Sequence, residues 1–111
     1  MSDTRYDVIL TGPANDDLRS IHAYLAEVRT IEDADDLLDR LTERVRSLQN
    51  FPLRGSVPQE LTASGMKDVR QLVYPPYRLI YSLVDNVVLI LLIADGRRDM
   101  RTLMEQRLLN R

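Results

Sequence analysis

Four arginines carry most of the chemistry this sequence offers: Arg70, Arg78, Arg97 and Arg98. A guanidinium is planar, forked and permanently charged, so it grips a carboxylate or a phosphate through paired hydrogen bonds. Arg97 and Arg98 follow Gly96 just past an apolar run, Val87 to Ala94, and Arg78 alternates away from Tyr77, Leu79 and Tyr81. Arg70 belongs to the preceding extended segment. If these segments are neighbouring strands, the guanidinium groups converge on one mouth of a sheet and form an anion site. The plainer arrangement is surface pairing with Asp68, Asp95 and Asp99, worth about 0 to 1 kcal/mol per pair.

Other reactive residues point to structure more than to catalysis. His22 is the sole histidine and lies one turn after Leu18, so it is expected to pack half-buried under the sheet. Tyr74, Tyr77 and Tyr81 are able to stack on bases, but aromatic residues in strands more often pack across strands. The acids Glu32, Asp33, Asp35 and Asp36 read as a solvated helix start. There is no phosphate-binding glycine loop, metal-binding helix motif or nucleophile elbow. The absence of cysteine removes disulfides, thiolate zinc sites and cysteine nucleophiles. No cofactor and no metal are implied.

The elements that must position the arginines follow from periodicity. Arg5 to Thr11 alternates, with Tyr6, Val8 and Leu10 on one side, as a strand does. Thr11, Gly12 and Pro13 then open a helix with Leu18, Ile21, Leu25 and Val28 at helical spacing, and Asp16 and Asp17 suit its N-terminus. Thr30 with Asp33 resembles a capping box, and Ile31, Ala34, Leu37, Leu38, Leu41, Val45 and Leu48 make the stripe of a second helix. So short a link folds the two back as a hairpin. Pro52, Gly55, Pro58 and Gly65 mark a connection with one short turn at Gln59 to Thr62.

Three strands follow, at Lys67 to Val73, Tyr77 to Val84 and Val87 to Ala94. Asp85-Asn86 suits a tight hairpin turn because both residues tolerate positive φ. The proline pair Pro75-Pro76 lacks two donors and marks a bend or an edge, with a trans Tyr74-Pro75 bond expected. Val87 to Ala94 is apolar on both faces, so it must be central and covered twice. The hairpin covers one face, and a short helix at Met100 to Leu109 is expected to cover part of the other. The fold class is therefore α+β, in the order β-α-α-β-β-β(-α), a small antiparallel sheet packed against an N-terminal helical hairpin.

The 111 residues suit one domain spanning 1–111. The N-terminus, MSDTRYDVIL, lacks the basic and apolar pattern of a signal peptide. VVLILLIA is far shorter than the roughly 20 residues of a membrane helix, so a cytoplasmic location without membrane contact is expected. Residues 1–66 hold seven Arg against twelve Asp or Glu, net −5, and residues 67–111 hold eight Lys or Arg against five acids, net +3. The second half is the better face for an anion.

The ordered set "ANDDLRSIHAYL", "LTERVRSLQNFPLRG", "VPQEL" and "VRQLVYPPYRLIYSLVDNVVLILLIADGRRDM" resembles the RelE/ParE superfamily of bacterial type II toxins over nearly the whole chain. The resemblance implies a small α/β toxin held inactive by a cognate antitoxin through an acidic or amphipathic segment, in a toxin–antitoxin hetero-oligomer. RelE-like members cleave mRNA in the ribosomal A site without metal; ParE-like members poison DNA gyrase by binding it. Arg78 in "YRLIY" and Arg98 in "GRRDM" match the two arginines that RelE-type enzymes use at the phosphate, and Arg70 falls near basic residues of their preceding strand.

Two departures bear on the choice. Where those enzymes carry a tyrosine in the tail, this chain has Met104 or a neighbour. The C-terminal histidine and tyrosine of YoeB-like members are missing too, and the sequence ends on Arg111. Cleavage through a 2′-hydroxyl needs a proton acceptor and donor, and arginine, with a pKa above about 12, is a poor one. "GRRDM" is closer to the Arg-Asp-aliphatic ending of ParE-like toxins. The resemblance thus implies a gyrase inhibitor in which Arg70, Arg78, Arg97 and Arg98 bind target or antitoxin. Its alternatives are a ribosome-dependent mRNA endonuclease using Arg70, Arg78 and Arg98, and a non-toxic module that only binds antitoxin.

Overall fold

The computed structural model describes residues 5–64 and 68–109. Gly65 and Lys67, assigned above to the connection and to a strand start, and Arg111 lie outside the described residues. Strand β1 (Asp7–Leu10) leads into the hairpin α1 (Gly12–Val28) and α2 (Ile31–Ser47), then a 3₁₀ helix (Gln59–Ser64), β2 (Val69–Tyr74), β3 (Tyr77–Val84), β4 (Val87–Asp95) and α3 (Met100–Leu109). No helix of the described residues is long and apolar enough to cross a membrane.

Helix starts follow from side-chain caps. The Thr11 hydroxyl accepts from Ala14 N at 3.2 Å and donates to Ile90 O at 2.8 Å, so one residue both starts α1 and ties it to β4. Thr30 caps α2 by accepting from Asp33 N at 3.0 Å, as the pattern predicts.

The sheet order is β1-β4-β3-β2. Strands β2, β3 and β4 form an antiparallel meander, while β1 runs parallel to β4 from Asp7↔Val87 to Leu10↔Ile90. The α+β class and element order stand, with this one parallel pairing in an otherwise antiparallel sheet. A parallel neighbour requires a long crossover, which the hairpin and the meander supply. The β2–β3 turn is Pro75-Pro76, whose peptide bond is cis, and the β3–β4 turn places Asp85 at φ 54°.

Apolar layers lie on both faces. Leu18, Leu41, Val45, Leu48, Leu72, Leu79, Tyr81, Val88, Ile90 and Ile93 fill the layer under the hairpin. Leu61, Val69, Ile80, Leu92, Ala94, Met100 and Met104 fill the other, where α3 and the 3₁₀ helix close the sheet. Each large side chain removed from water contributes about 1.5 to 3 kcal/mol. The stripe stops short of the hairpin tip, where Val28 and Ile31 are exposed and have no element above them.

Strand β4 carries one residue more than its partner. Ile80 pairs with Leu92 and Tyr81 with Ile90, so Leu91 has no counterpart in β3. The bulge reverses the alternation: before it Val88 and Ile90 face the hairpin, and after it Ile93 does while Leu92 and Ala94 face α3.

Strand β1 stops at Leu10, leaving the outer side of β4 unpaired from Leu91 onward. Two side chains occupy that gap. Asp17 Oδ2 accepts from Ile93 N at 2.9 Å, and Arg107 Nη1 donates to Leu91 O at 2.8 Å. The two also pair with each other, Arg107 Nη2 to Asp17 Oδ1 at 2.7 Å. Asp17 is thus a clasp to β4 and α3, where its position had suggested a helix-end charge. The guanidinium of Arg107 is held further above its usual range, chiefly by its hydrogen bond to Asp17.

Candidate functional site

Beyond β4 the chain turns at Gly96 and delivers Arg97 and Arg98 to the rim of the sheet. Gly96 N donates to Pro76 O at 2.7 Å, which fastens this turn to the β2–β3 turn. A Cβ on Gly96 would lie 2.7 Å from Arg78 Cδ, so the glycine is what lets Arg78 pass beneath it.

Arg78 is anchored on three sides. Its Nη1 and Nη2 donate to Glu60 Oε2 and Oε1 at 2.7 and 2.8 Å, and its Nε donates to Gln71 Oε1 at 2.7 Å. The two charged side chains are only 15% and 17% exposed. The hydrogen bonds from Arg78 hold the Glu60 carboxyl down at about 2, against a burial effect that opposes them.

Arg97 is 81% exposed and folds back on Asp95, its Nε and Nη2 donating to the two carboxylate oxygens at 2.9 and 2.6 Å. Those bonds hold Asp95 down at about 2. This is the surface pair that the plainer sequence reading anticipates. Asp99 instead starts α3, accepting from Thr102 N and from the Thr102 hydroxyl.

Arg98 lines a cleft of ≈ 480 Å³ between α1 and α3, floored by Ile21, Ile93 and Ala94 and walled by Tyr24, Tyr77 and Leu103. A second cleft of ≈ 410 Å³ adjoins it across Tyr24, Tyr77 and Asp95, edged by Arg29, Arg97 and the proline pair. The Arg98 backbone N–H donates to Asp95 O, while its guanidinium has no hydrogen bond or ion pair among the described residues. Burial and the nearby Asp95 push the Tyr77 hydroxyl above its usual range, so it stays a neutral donor on the cleft wall.

Arg70 is elsewhere. In the β2–β3 register Arg70 lies opposite Tyr81 and Arg78 opposite Val73. Tyr81 faces the hairpin, whereas Arg78 shares its face with Ile80, toward α3, so Arg70 and Arg78 point to opposite sides of the sheet. The expected convergence of four guanidinium groups is therefore corrected: Arg78, Arg97 and Arg98 gather near one end, and Arg70 donates to Gly55 O at 2.7 Å under the 51–55 loop.

Other expectations resolve as follows. His22 joins the two helices, its Nε2 lying 2.7 Å from Asp35 Oδ1, in place of packing under the sheet. Asp33 pairs with Arg29 and Asp36 with Arg40, so the acidic start of α2 is laced by its own turns. Tyr74 and Tyr77 are cross-strand partners. The buried Tyr81 donates its hydroxyl proton to Pro52 O at 2.8 Å and accepts from Gly55 N at 3.1 Å. Met104, one of the tail residues that the resemblance sets where RelE-type enzymes carry a tyrosine, is fully buried in the layer under α3. Sequence reasoning missed Glu60 and Gln71, although "VPQEL" places a carboxylate on a short helix ahead of the strands.

The geometry thus provides an open, largely apolar cleft lined by Asp17 and Asp95 as well as by Arg107 and Arg98, in which Asp17 is paired with Arg107 and Asp95 with Arg97, and the Arg98 guanidinium is left unpaired among the described residues. Arg78 and Arg107, the partly buried arginines close by, are each already matched to a carboxylate.

The model of the ParE toxin family of type II toxin–antitoxin systems, parDE, matches residues 8–100. No curated protein sequence matches the chain. Among solved structures it is similar to a chain of the chromosomal ParDE toxin–antitoxin system from P. aeruginosa, 21% identical, TM-score 0.69, covering 84% of this chain and 98% of that one. It is also similar to a chain of the RelBE2 toxin–antitoxin complex from Mycobacterium tuberculosis, 22% identical, TM-score 0.60, covering 85% and 94%. The E. coli toxin RelE, as a double arginine mutant in the free state, is 14% identical with TM-score 0.60, covering 88% and 90%.

Proposed function

Because this chain belongs to the ParE toxin family of type II toxin–antitoxin systems, we propose that it acts by binding DNA gyrase in the cytoplasm and is neutralised by a cognate antitoxin. The observation that carries the binding reading over cleavage is the Arg78–Glu60 fork. An arginine that stabilises a phosphorane must present free donors to the phosphate. Three of the five N–H donors of Arg78, one on each nitrogen, are committed to Glu60 and Gln71, and the Glu60 carboxylate balances its charge, so little is left to draw in a phosphate. Met104, one candidate for that tail position, is a buried thioether with no proton to transfer. An antitoxin partner is supported by the ParDE system and the RelBE2 complex among the similar structures.

Parallel assays separate the targets. Supercoiling by purified gyrase falls when the protein is added, and mRNA on translating ribosomes stays intact. Unaffected gyrase together with cleaved A-site codons would overturn the proposal in favour of the endonuclease. In cells, expression of the chain alone arrests growth, and co-expression of the adjacent small gene restores it. Harmless expression combined with tight antitoxin binding would leave only the antitoxin-binding module.

A further inference from the structure

Phenylalanine occurs once in this chain, and it stands in the open. Phe51 is 64% exposed and Leu53 62%, on the loop that joins α2 to the 3₁₀ helix. One tight turn carries both, closed by a bond from Arg54 N to Phe51 O at 3.2 Å. Exposed apolar side chains are ordinary when scattered singly. This pair differs in how much interior structure holds it in place.

The loop leaves the end of α2 by a bond from Phe51 N to Ser47 O. The hydroxyl of Tyr81, a fully buried core residue, then holds Pro52 O at 2.8 Å and Gly55 N at 3.1 Å. Arg70 Nη1 donates to Gly55 O at 2.7 Å, and Ser56 exchanges two backbone bonds with Gln71, at 3.1 and 2.7 Å. A Cβ on Gly55 would lie 2.4 Å from Gln71 O, so the loop is pressed onto β2. A loop fastened in this way has little conformational freedom left to lose on binding, which is what a rigid apolar anchor requires.

The surroundings of the tip are cationic. Residues 44–59 hold Arg44, Arg46 and Arg54 and no acid, net +3, in a chain whose other residues sum to −5. Gln49, two positions before Phe51, donates its N–H to Arg46 O and accepts from Arg5 Nη2 at 3.0 Å, which brings Arg5 to the same corner. An apolar tip among cations is complementary to an apolar pocket among carboxylates. Shape narrows the partner further. A fixed, projecting tip needs a concave site on a folded protein, whereas a flexible segment has no pocket to offer and is matched by the cleft at the far end of β4, between α1 and α3.

We infer that the Phe51–Arg54 turn is the anchor that this toxin inserts into an apolar, acid-rimmed pocket on its folded target. The inference rests on the gyrase reading and names the surface through which it acts. A large aromatic side chain seated in a desolvated pocket is the kind of residue that dominates the affinity of an interface.

The test titrates supercoiling by purified gyrase with the full chain, and measures in parallel the affinity for the antitoxin encoded by the adjacent small gene and the midpoint of urea unfolding. Phe51→Ala/Leu53→Ala raises the inhibitory concentration by about 30-fold or more, with antitoxin affinity and unfolding midpoint unchanged. Arg54→Glu, a second exposed change, weakens inhibition too, because a carboxylate then meets the acidic rim. Val28→Ala, at the hairpin tip and one length of α2 away, about 25 Å, inhibits as the wild type does. Undiminished inhibition by both loop variants overturns the inference and leaves the gyrase reading standing. Lost antitoxin binding in the double variant overturns it as well and makes the loop an antitoxin contact. A wild-type dimer in sedimentation that the double variant lacks overturns it in favour of a second copy of this chain. Wild-type protein without effect on gyrase removes the gyrase reading, and this inference with it.

Discussion

Arg78 and Glu60 face each other as a two-toothed pair, 2.7 and 2.8 Å apart, closed on the third side by Gln71. The pair ties β3 to the 3₁₀ helix across the layer that α3 also covers. Its titration gives the first prediction. Glu60 has a folded value of about 2 against an ordinary 4.5, so its contribution is complete above pH 4.5 and is lost as pH falls toward about 2. Chemical denaturation between those limits shows wild-type stability falling with acid, and Glu60→Gln shows a shallower fall with lower stability at neutral pH. An identical pH slope in the variant would refute the assignment.

Gly96→Ala places a methyl group against the Arg78 side chain and the Pro76 carbonyl. The expected cost is about 1 to 3 kcal/mol in urea unfolding, the range for overpacking a filled site. A crystal structure of the variant shows Arg78 displaced from Glu60. Gly12→Ala, with nothing near its Cβ, is the control.

Asp17→Ala breaks the clasp on the free edge of β4. It leaves Arg107, 24% exposed, without its charge partner. Both side chains are partly exposed, so the cost is about 1 to 3 kcal/mol, that of leaving their hydrogen-bond partners unmatched. Hydrogen exchange locates the effect, because the Ile93 amide loses protection while amides paired between β2 and β3 keep theirs apart from the global shift.

Tyr81→Phe removes the hydroxyl that joins Pro52 O to Gly55 N. Two backbone groups then lose their partner, at about 1 to 3 kcal/mol. The midpoint in urea drops without a change in slope, as for a loss of stability in an unchanged fold.

The strands β3 and β4 and helix α2 were legible because each has a strong local pattern and a cap or turn residue at its end. Long-range relationships were not. Asp17 and Arg107 lie ninety positions apart, and no periodicity joins them. The bulge at Leu91 leaves no trace in a run that is apolar at every position. The facing of Arg70 and Arg78 misleads for a simple reason. Partners across the two-residue proline turn have one odd and one even number, so even residues of β2 share a face with odd residues of β3. Equal parity therefore meant opposite sides.

The spare residue in β4 acts as a phase shifter. Without Leu91, Ile90 and Leu92 would follow each other in regular alternation, each keeping the side it now faces, so a deletion there reverses neither layer and removes the buried Leu91 side chain together with the carbonyl that Arg107 holds. A deletion one strand-step later, at Ile93, would instead rotate everything beyond it by half a turn and carry the Gly96–Arg98 rim to the wrong side. The two shortened chains differ by two positions in the sequence, and only the first keeps its outward-pointing end in working orientation.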